Sequence, residues 1–227
     1  MTVILLRHGR STANTAHTLA GRSAGVDLDE TGVEQARSLV DRIGDLPVRA
    51  LVCSPLLRCR RTLEPLAERL GLQPVFDDRL TEVDYGDWTG RKLSELVSES
   101  LWQVVQQHPS AAVFPGGEGL ADVQARAVSA VREHDRRLAE GNGGGDVLWV
   151  ACTHGDVIKS VVADALGTHL DSFQRITADP ASLSVIRYTP HRPFVVHVNH
   201  TGDRLAGVLS APPPQPSGDA TVGGSTG

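Results

Sequence analysis

Val3-Ile4-Leu5-Leu6-Arg7-His8-Gly9-Arg10-Ser11 is a short apolar run that stops at an arginine, a histidine and a glycine, and Val147-Leu148-Trp149-Val150-Ala151-Cys152-Thr153-His154-Gly155 repeats the arrangement late in the chain. Each apolar run is too short and too continuous for an amphipathic helix. It reads as a strand buried on both faces, with the histidine where strand gives way to loop. In open α/β sheets ligands sit beyond the carboxyl ends of the strands, so these two histidines are expected to meet in one site.

Working outward, the same strand-turn-helix unit recurs. Thr31-Gly32-Val33-Glu34 has the capping-box pattern, and Val33, Ala36, Val40 and Ile43 follow at helical spacing, predicting a helix over 31–43. Residues 49–53 read as a second strand, and Ser54-Pro55 supplies an N-cap and first-turn proline for a helix stopped by Gly71. Val75-Phe76 reads as a short strand, 77–90 as a polar loop, 92–107 as helix, and the segment from Leu120 to Leu138 as a long amphipathic helix. A strand at 147–152, a helix at 156–166 and two β-rich runs at 182–188 and 194–199 complete the pattern. Alternating strands and helices predict a three-layer α/β/α sandwich with a mostly parallel central sheet and an antiparallel strand near the C-terminus.

The chain has 227 residues, enough for one domain that buries roughly 70% of its unfolded surface. Residues 1–208 are read as a single catalytic domain and 209–227 as a disordered tail rich in Pro, Gly and Ser. No stretch approaches the ~20 apolar residues of a membrane helix. The N-terminal apolar run lacks the charged lead-in and length of a signal peptide, so the expectation is a cytoplasmic protein with no membrane partner. A net charge of −5 and a pI near 6.0 argue against nucleic acid as a partner. Cys53, Cys59 and Cys152 are too few for a disulfide framework and lack zinc-ligand spacing. Lys92 and Lys159 are the only lysines among 22 basic residues, so an arginine carries meaning here by position alone.

Three strand ends on one rim would bring together Arg7-His8-Gly9, Ser54 with the helix that follows it, and Thr153-His154-Gly155. Phosphoryl transfer needs cations and donors around the transferring oxygens, a nucleophile in line with phosphorus, and an acid for the leaving oxygen. Arg7 and Arg58 offer forks of donors for phosphate oxygens. A neutral His8 can attack phosphorus, His154 and Asn14 can donate hydrogen bonds to the anion, and Gly9 and Gly155 allow close backbone approach. A metal site built from His8, His154 and Glu82 is the competing reading; it would place two arginines beside a cation.

Five segments in order, Arg7-His8-Gly9 with Asn14, Ser54-Pro55-Leu56-Leu57-Arg58 with Thr62, Glu82-Val83-Asp84-Tyr85-Gly86-Asp87-Trp88-Thr89-Gly90, Pro115-Gly116-Gly117-Glu118, and Thr153-His154-Gly155, resemble the histidine phosphatase superfamily, also called phosphoglycerate mutase-like, of the branch 1 type. The resemblance spans about residues 2–160. It implies that His8 is transiently phosphorylated and Glu82 is the proton donor, that Arg7, Arg58 and His154 form the phosphate pocket, and that no metal or other cofactor is used. The implied substrate is a small phosphorylated metabolite. Asp84 competes with Glu82 for the acid role, and the spacing to Gly86 and Gly90 selects Glu82.

Two positions depart from the family pattern. Arg10 stands where relatives commonly carry glutamate and is expected to make the pocket mouth more basic, and Gly119 replaces the usual serine after Gly-Gly-Glu. Between Gly90 and Gly116 there is Arg91-Lys92 but no counterpart of the mutases' clamp for the substrate's carboxylate and second phosphate. A missing clamp favours hydrolysis of a phosphomonoester. A phosphomutase is the alternative reading, an inactive phospho-ligand binding module a third, and the oligomeric state, a homodimer included, stays open.

Overall fold

The computed structural model describes residues 1–202, so the expected domain end near 208 and the tail lie outside the described residues. In chain order the elements are β1 (Thr2–Arg7), α1 (Thr12–Thr15), α2 (Glu30–Ile43), β2 (Val48–Cys53), α3 (Leu57–Leu70), β3 (Val75–Phe76), α4 (Leu93–Leu96), α5 (Ser100–Gln107), α6 (Leu120–Gly141), β4 (Leu148–Thr153), α7 (Gly155–Leu166), β5 (Leu183–Tyr188) and β6 (Pro193–His200). The strands form a sheet of order β3-β2-β4-β1-β5-β6 among the described residues. The first four run parallel, and β5 and β6 are antiparallel.

Alternation along the central strands explains the three layers. Val3 and Leu5 of β1 and Trp149 and Ala151 of β4 face a core completed by Val123, Ala127 and Val131 of α6 and Val157 and Val161 of α7. Ile4, Leu6, Val150 and Cys152 point the other way, onto Leu39 and Ile43 of α2 and Leu63 and Leu66 of α3. Both faces of β1 and β4 are therefore dry, which is why each reads as an uninterrupted apolar run. Among the described residues no helix is long and apolar enough to cross a membrane.

Three local expectations are corrected. The N-cap of α2 is Asp29, whose carboxylate accepts from the Gly32 amide at 2.8 Å, so Thr31 lies inside the helix. An ionised cap one residue before the first turn also complements the helix dipole, which a threonine cannot do. The segment 92–107 is two short helices rather than one, because the backbone turns extended at Glu99 between α4 and α5. Ser54 does not cap α3, which begins at Leu57 without a side-chain cap. Its hydroxyl is committed elsewhere, to His154.

Candidate active site

The register of the central strands builds the site. Arg7 of β1 pairs with Thr153 of β4, and the His8 amide donates to the Thr153 carbonyl at 3.0 Å. His8 and His154 are thus the first residues past two neighbouring strand ends, with ring centroids 5.2 Å apart. Topology brings Arg58 up from the second position of α3. The Thr62 hydroxyl fixes it there, donating to the Arg58 carbonyl at 2.7 Å and accepting from the Gly9 amide at 2.8 Å.

The Arg58 guanidinium lies between the two imidazoles. Its Nε donates to Nε2 of His8 at 3.3 Å, and its Nη2 donates to Nδ1 of His154 at 3.1 Å and to the Gly21 carbonyl at 2.8 Å. On the far side of the His8 ring, Nδ1 is 2.7 Å from the Gly9 carbonyl. These partners select one tautomer: Nδ1 holds the proton and donates to Gly9, and Nε2 presents its lone pair. Burial holds the His8 pKa well below the ordinary imidazole value, with Arg58 and then Arg7 adding to the effect. The ring is therefore held neutral near neutral pH, with Nε2 unprotonated. A guanidinium also occupies the space that a metal shared by His8 and His154 would need, and no cluster of three metal-ligating side chains occurs among the described residues.

His154 stands behind Arg58 and does not line the cavity. With Nδ1 accepting from Arg58, its Nε2–H donates to Ser54 Oγ at 2.8 Å, so both ring nitrogens are engaged in holding the guanidinium in place. Gly155 is the buried first residue of α7 and likewise lies behind the cavity wall. Arg7 is fully buried, and its Nη1 donates to the Ala178 carbonyl at 2.6 Å. Asn14 lines the cavity but also closes a capping box on α1: its Oδ1 accepts from the Ser11 amide at 3.0 Å and hydroxyl at 2.8 Å. Gly9 is packed against the backbone of Gly32, where a Cβ would meet the carbonyl oxygen at 2.8 Å, so it serves packing rather than ligand approach.

Glu82 enters from the loop after β3. It is buried, and Oε2 lies 4.0 Å from Nδ1 of His154. Burial, and after it the charge of Asp156, raise its pKa to about 7, against the pull of Arg58, the Val83 amide and Arg7. A carboxyl half-protonated near neutrality can both give and take a proton. Asp84, the competing candidate, is displaced toward solvent and faces Arg22 at 3.9 Å.

The loop that carries Glu82 is held by residues the sequence reading passed over. Arg126 of α6 donates to the carbonyls of Arg79 (2.6 Å), Thr81 (2.8 Å) and Glu82 (3.2 Å) and clasps both oxygens of Glu118 at 2.9 and 3.0 Å. Arg22 adds bonds to the Glu82 carbonyl at 3.0 Å and to Glu118 at 2.8 Å. Gly86 and Gly117 interlock this loop with the Pro-Gly-Gly turn: Gly86 has φ +50°, and a Cβ there would stand 2.0 Å from the Pro115 carbonyl. Tyr85 is buried and donates to Asp156 Oδ2 at 2.7 Å, and Asp156 faces Lys159 at 3.5 Å. The available signal for Arg126 was its place beside the apolar stripe of Val123 and Ala127 on a helix read as amphipathic.

Arg10 does not make the mouth basic. Its Nε pairs with Asp29 at 2.6 Å and its Nη2 donates to Thr31 at 2.7 Å, so its charge is matched by the α2 cap.

Beyond the fold, comparison with known proteins fixes the class. The model of the histidine phosphatase superfamily (branch 1) matches residues 3–201, and the chain belongs to that family. It is 29% identical to phosphoserine phosphatase 1 of Hydrogenobacter thermophilus over 205 residues, covering 88% of this chain and 92% of the relative. It is 30% identical to the probable phosphoglycerate mutase GpmB of Photorhabdus laumondii over 196 residues, 85% and 87% of the two chains. Among solved structures it resembles the mycobacterial glucosyl-3-phosphoglycerate phosphatase Rv2419c complexed with VO3, with a TM-score of 0.80, 26% identity, and 88% and 99% coverage. The relatives named are phosphatases and a probable mutase, which places the chain in a superfamily of phosphatases and mutases.

Proposed function

We propose that the protein is a metal-independent phosphatase that hydrolyses a small phosphorylated metabolite through a phosphohistidine on His8. The observation that carries this reading is the state of the His8 ring: Nδ1–H is anchored on Gly9, and Nε2 is unprotonated beside the Arg58 guanidinium.

In the first step the Nε2 lone pair attacks phosphorus and the ester P–O bond breaks. Glu82 in its protonated form gives its proton to the departing alkoxide, so the alcohol leaves neutral and Glu82 becomes a carboxylate. Arg7 and Arg58 oppose the negative charge that spreads over the transferring oxygens. In the second step the Glu82 carboxylate takes a proton from water as the oxygen attacks phosphorus. The P–N bond breaks, inorganic phosphate leaves, and His8 returns to its neutral form. His154 and Ser54 position Arg58, and Asn14 adds its amide group as a donor at the cavity wall.

Hydrolysis is preferred to phosphate transfer between positions of one substrate because the segment after Glu82 carries no free clamp. Arg91 is turned onto Glu99 at 2.7 Å, with Glu95 at 4.0 Å. The test is a panel of phosphorylated metabolites in chelator-treated buffer, monitored for inorganic phosphate and for isomerised product. Free phosphate without added metal, abolished in His8→Ala, is the expected result. Isomer without phosphate would replace this reading with the mutase, and a requirement for magnesium would contradict the site.

A further inference from the structure

Resting on the phosphatase reading, we propose that the outer wall of the pocket selects phosphomonoesters whose leaving group is a neutral alcohol and rejects esters that carry a second negative charge. The pocket is small, about 30 Å³, and the cations among its lining residues are Arg7 and Arg58. Both belong to the phosphoryl end. The leaving-group side is built from Ala13, Asn14, Thr18, Leu19, Ala20 and Leu93. These supply methyl groups, one hydroxyl and one amide, and no charge. Asn14 commits its Oδ1 to Ser11, which leaves its NH2 group to meet a ligand oxygen.

The arginines nearest this wall are each matched by carboxylates. Arg10 pairs with Asp29 at 2.6 Å, Arg22 with Glu118 at 2.8 Å, and Arg91 with Glu99 at 2.7 Å. The wall is also closed by backbone bonds that leave little room for these side chains to swing in: the Leu19 amide donates to the Arg91 carbonyl at 2.9 Å, Gly90 to Leu19 at 2.8 Å, and Leu93 to His17 at 3.0 Å. Lys92, bridged to Thr18, is exposed and lies outside the lining. A carboxylate or second phosphate on the leaving group would lose its hydration against this surface without gaining a partner. The relatives named for phosphoserine and glucosyl-3-phosphoglycerate act on esters that bear a carboxylate, so on this point the chain is set apart from them.

The experiment uses the full chain and a matched pair, glycerol 3-phosphate and 3-phosphoglycerate, which share a skeleton and differ by a hydroxymethyl group against a carboxylate. Each is measured as a substrate and as a competitor of an aryl phosphate. Glycerol 3-phosphate is expected to be favoured by roughly tenfold or more in kcat/KM or in competition constant. Thr18→Lys, which adds a cation to the wall, is expected to narrow that gap, and Lys92→Ala to leave it unchanged. Equal or better use of 3-phosphoglycerate by the wild type overturns the proposal, as does a gap that Thr18→Lys leaves intact. Failure to hydrolyse even the aryl phosphate overturns the phosphatase reading itself, and this inference falls with it.

Discussion

Nε of Arg58 lies 3.3 Å from Nε2 of His8, so the guanidinium that would neutralise a phosphoryl group already touches the atom that would attack it. Together with burial, the larger cause, the same contact suppresses protonation of His8. Lysine has one point charge and no fork, and it cannot reach His8, His154 and Gly21 together. Both Arg58→Lys and Arg58→Ala are therefore expected to lower kcat by about 10²–10³-fold, read by steady-state kinetics on any accepted ester. Near-wild-type turnover in the lysine variant would show that only charge matters at this position.

The Glu82 pKa of about 7 gives a signed pH prediction. Phosphoenzyme formation from an alkyl ester needs the protonated acid, so kcat/KM is expected to fall as pH rises through about 7. An aryl phosphate, whose leaving group needs no proton, is expected to lack that limb. Glu82→Gln removes the limb for the alkyl ester and lowers its kcat/KM far more than that of the aryl one. The His8 pKa lies well below the usual value, so loss of the nucleophile to protonation appears only at more acidic pH.

Stability follows the same group. The folded-state pKa of Glu82 is raised above its unfolded value of 4.5, so the folded protein binds the extra proton between the two, and stability falls as pH rises through that window. Glu82→Gln is thus expected to be more stable than the wild type by up to about 3 kcal/mol above pH 7, with the difference fading as pH falls toward 4.5. Thermal melts across this range check it.

Most of the fold was legible because β1 and β4 are buried on both faces and so write unbroken apolar runs into the sequence. Their ends also located His8 and His154, since strand register alone sets them side by side. Local endings were less legible. Thr31 and Ser54 both look like caps, yet Asp29 is the stronger cap by charge, and Ser54 is drawn away by His154, a partner 100 residues distant. Arg10 illustrates the same limit: its position is obvious in the sequence, but whether its charge faces the pocket depends on Asp29, which only tertiary structure brings to 2.6 Å. Arg126 was missed because three of its targets are backbone carbonyls, which leave no trace in residue identity, and the fourth, Glu118, is brought to it only by the fold.

Arg126 has its own prediction. By holding the Arg79, Thr81 and Glu82 carbonyls from outside the cavity lining, it positions the loop of the proposed proton donor. Arg126→Ala is expected to cost roughly 2–3 kcal/mol in stability and to reduce kcat on alkyl esters more than on aryl phosphates. An equal loss on both substrates would show a general structural role instead.

The central claim is that phosphate passes through Nε2 of His8, and trapping that intermediate is the most direct measurement. The enzyme is mixed with an aryl phosphate, quenched in alkali during turnover, and digested for mass spectrometry. An acid-labile, base-stable phosphate is expected on His8, at Nε2 rather than Nδ1, enriched in Glu82→Gln and absent from His8→Ala. Turnover with no phosphate on His8 in either the wild type or Glu82→Gln, or continued hydrolysis by His8→Ala, would contradict it.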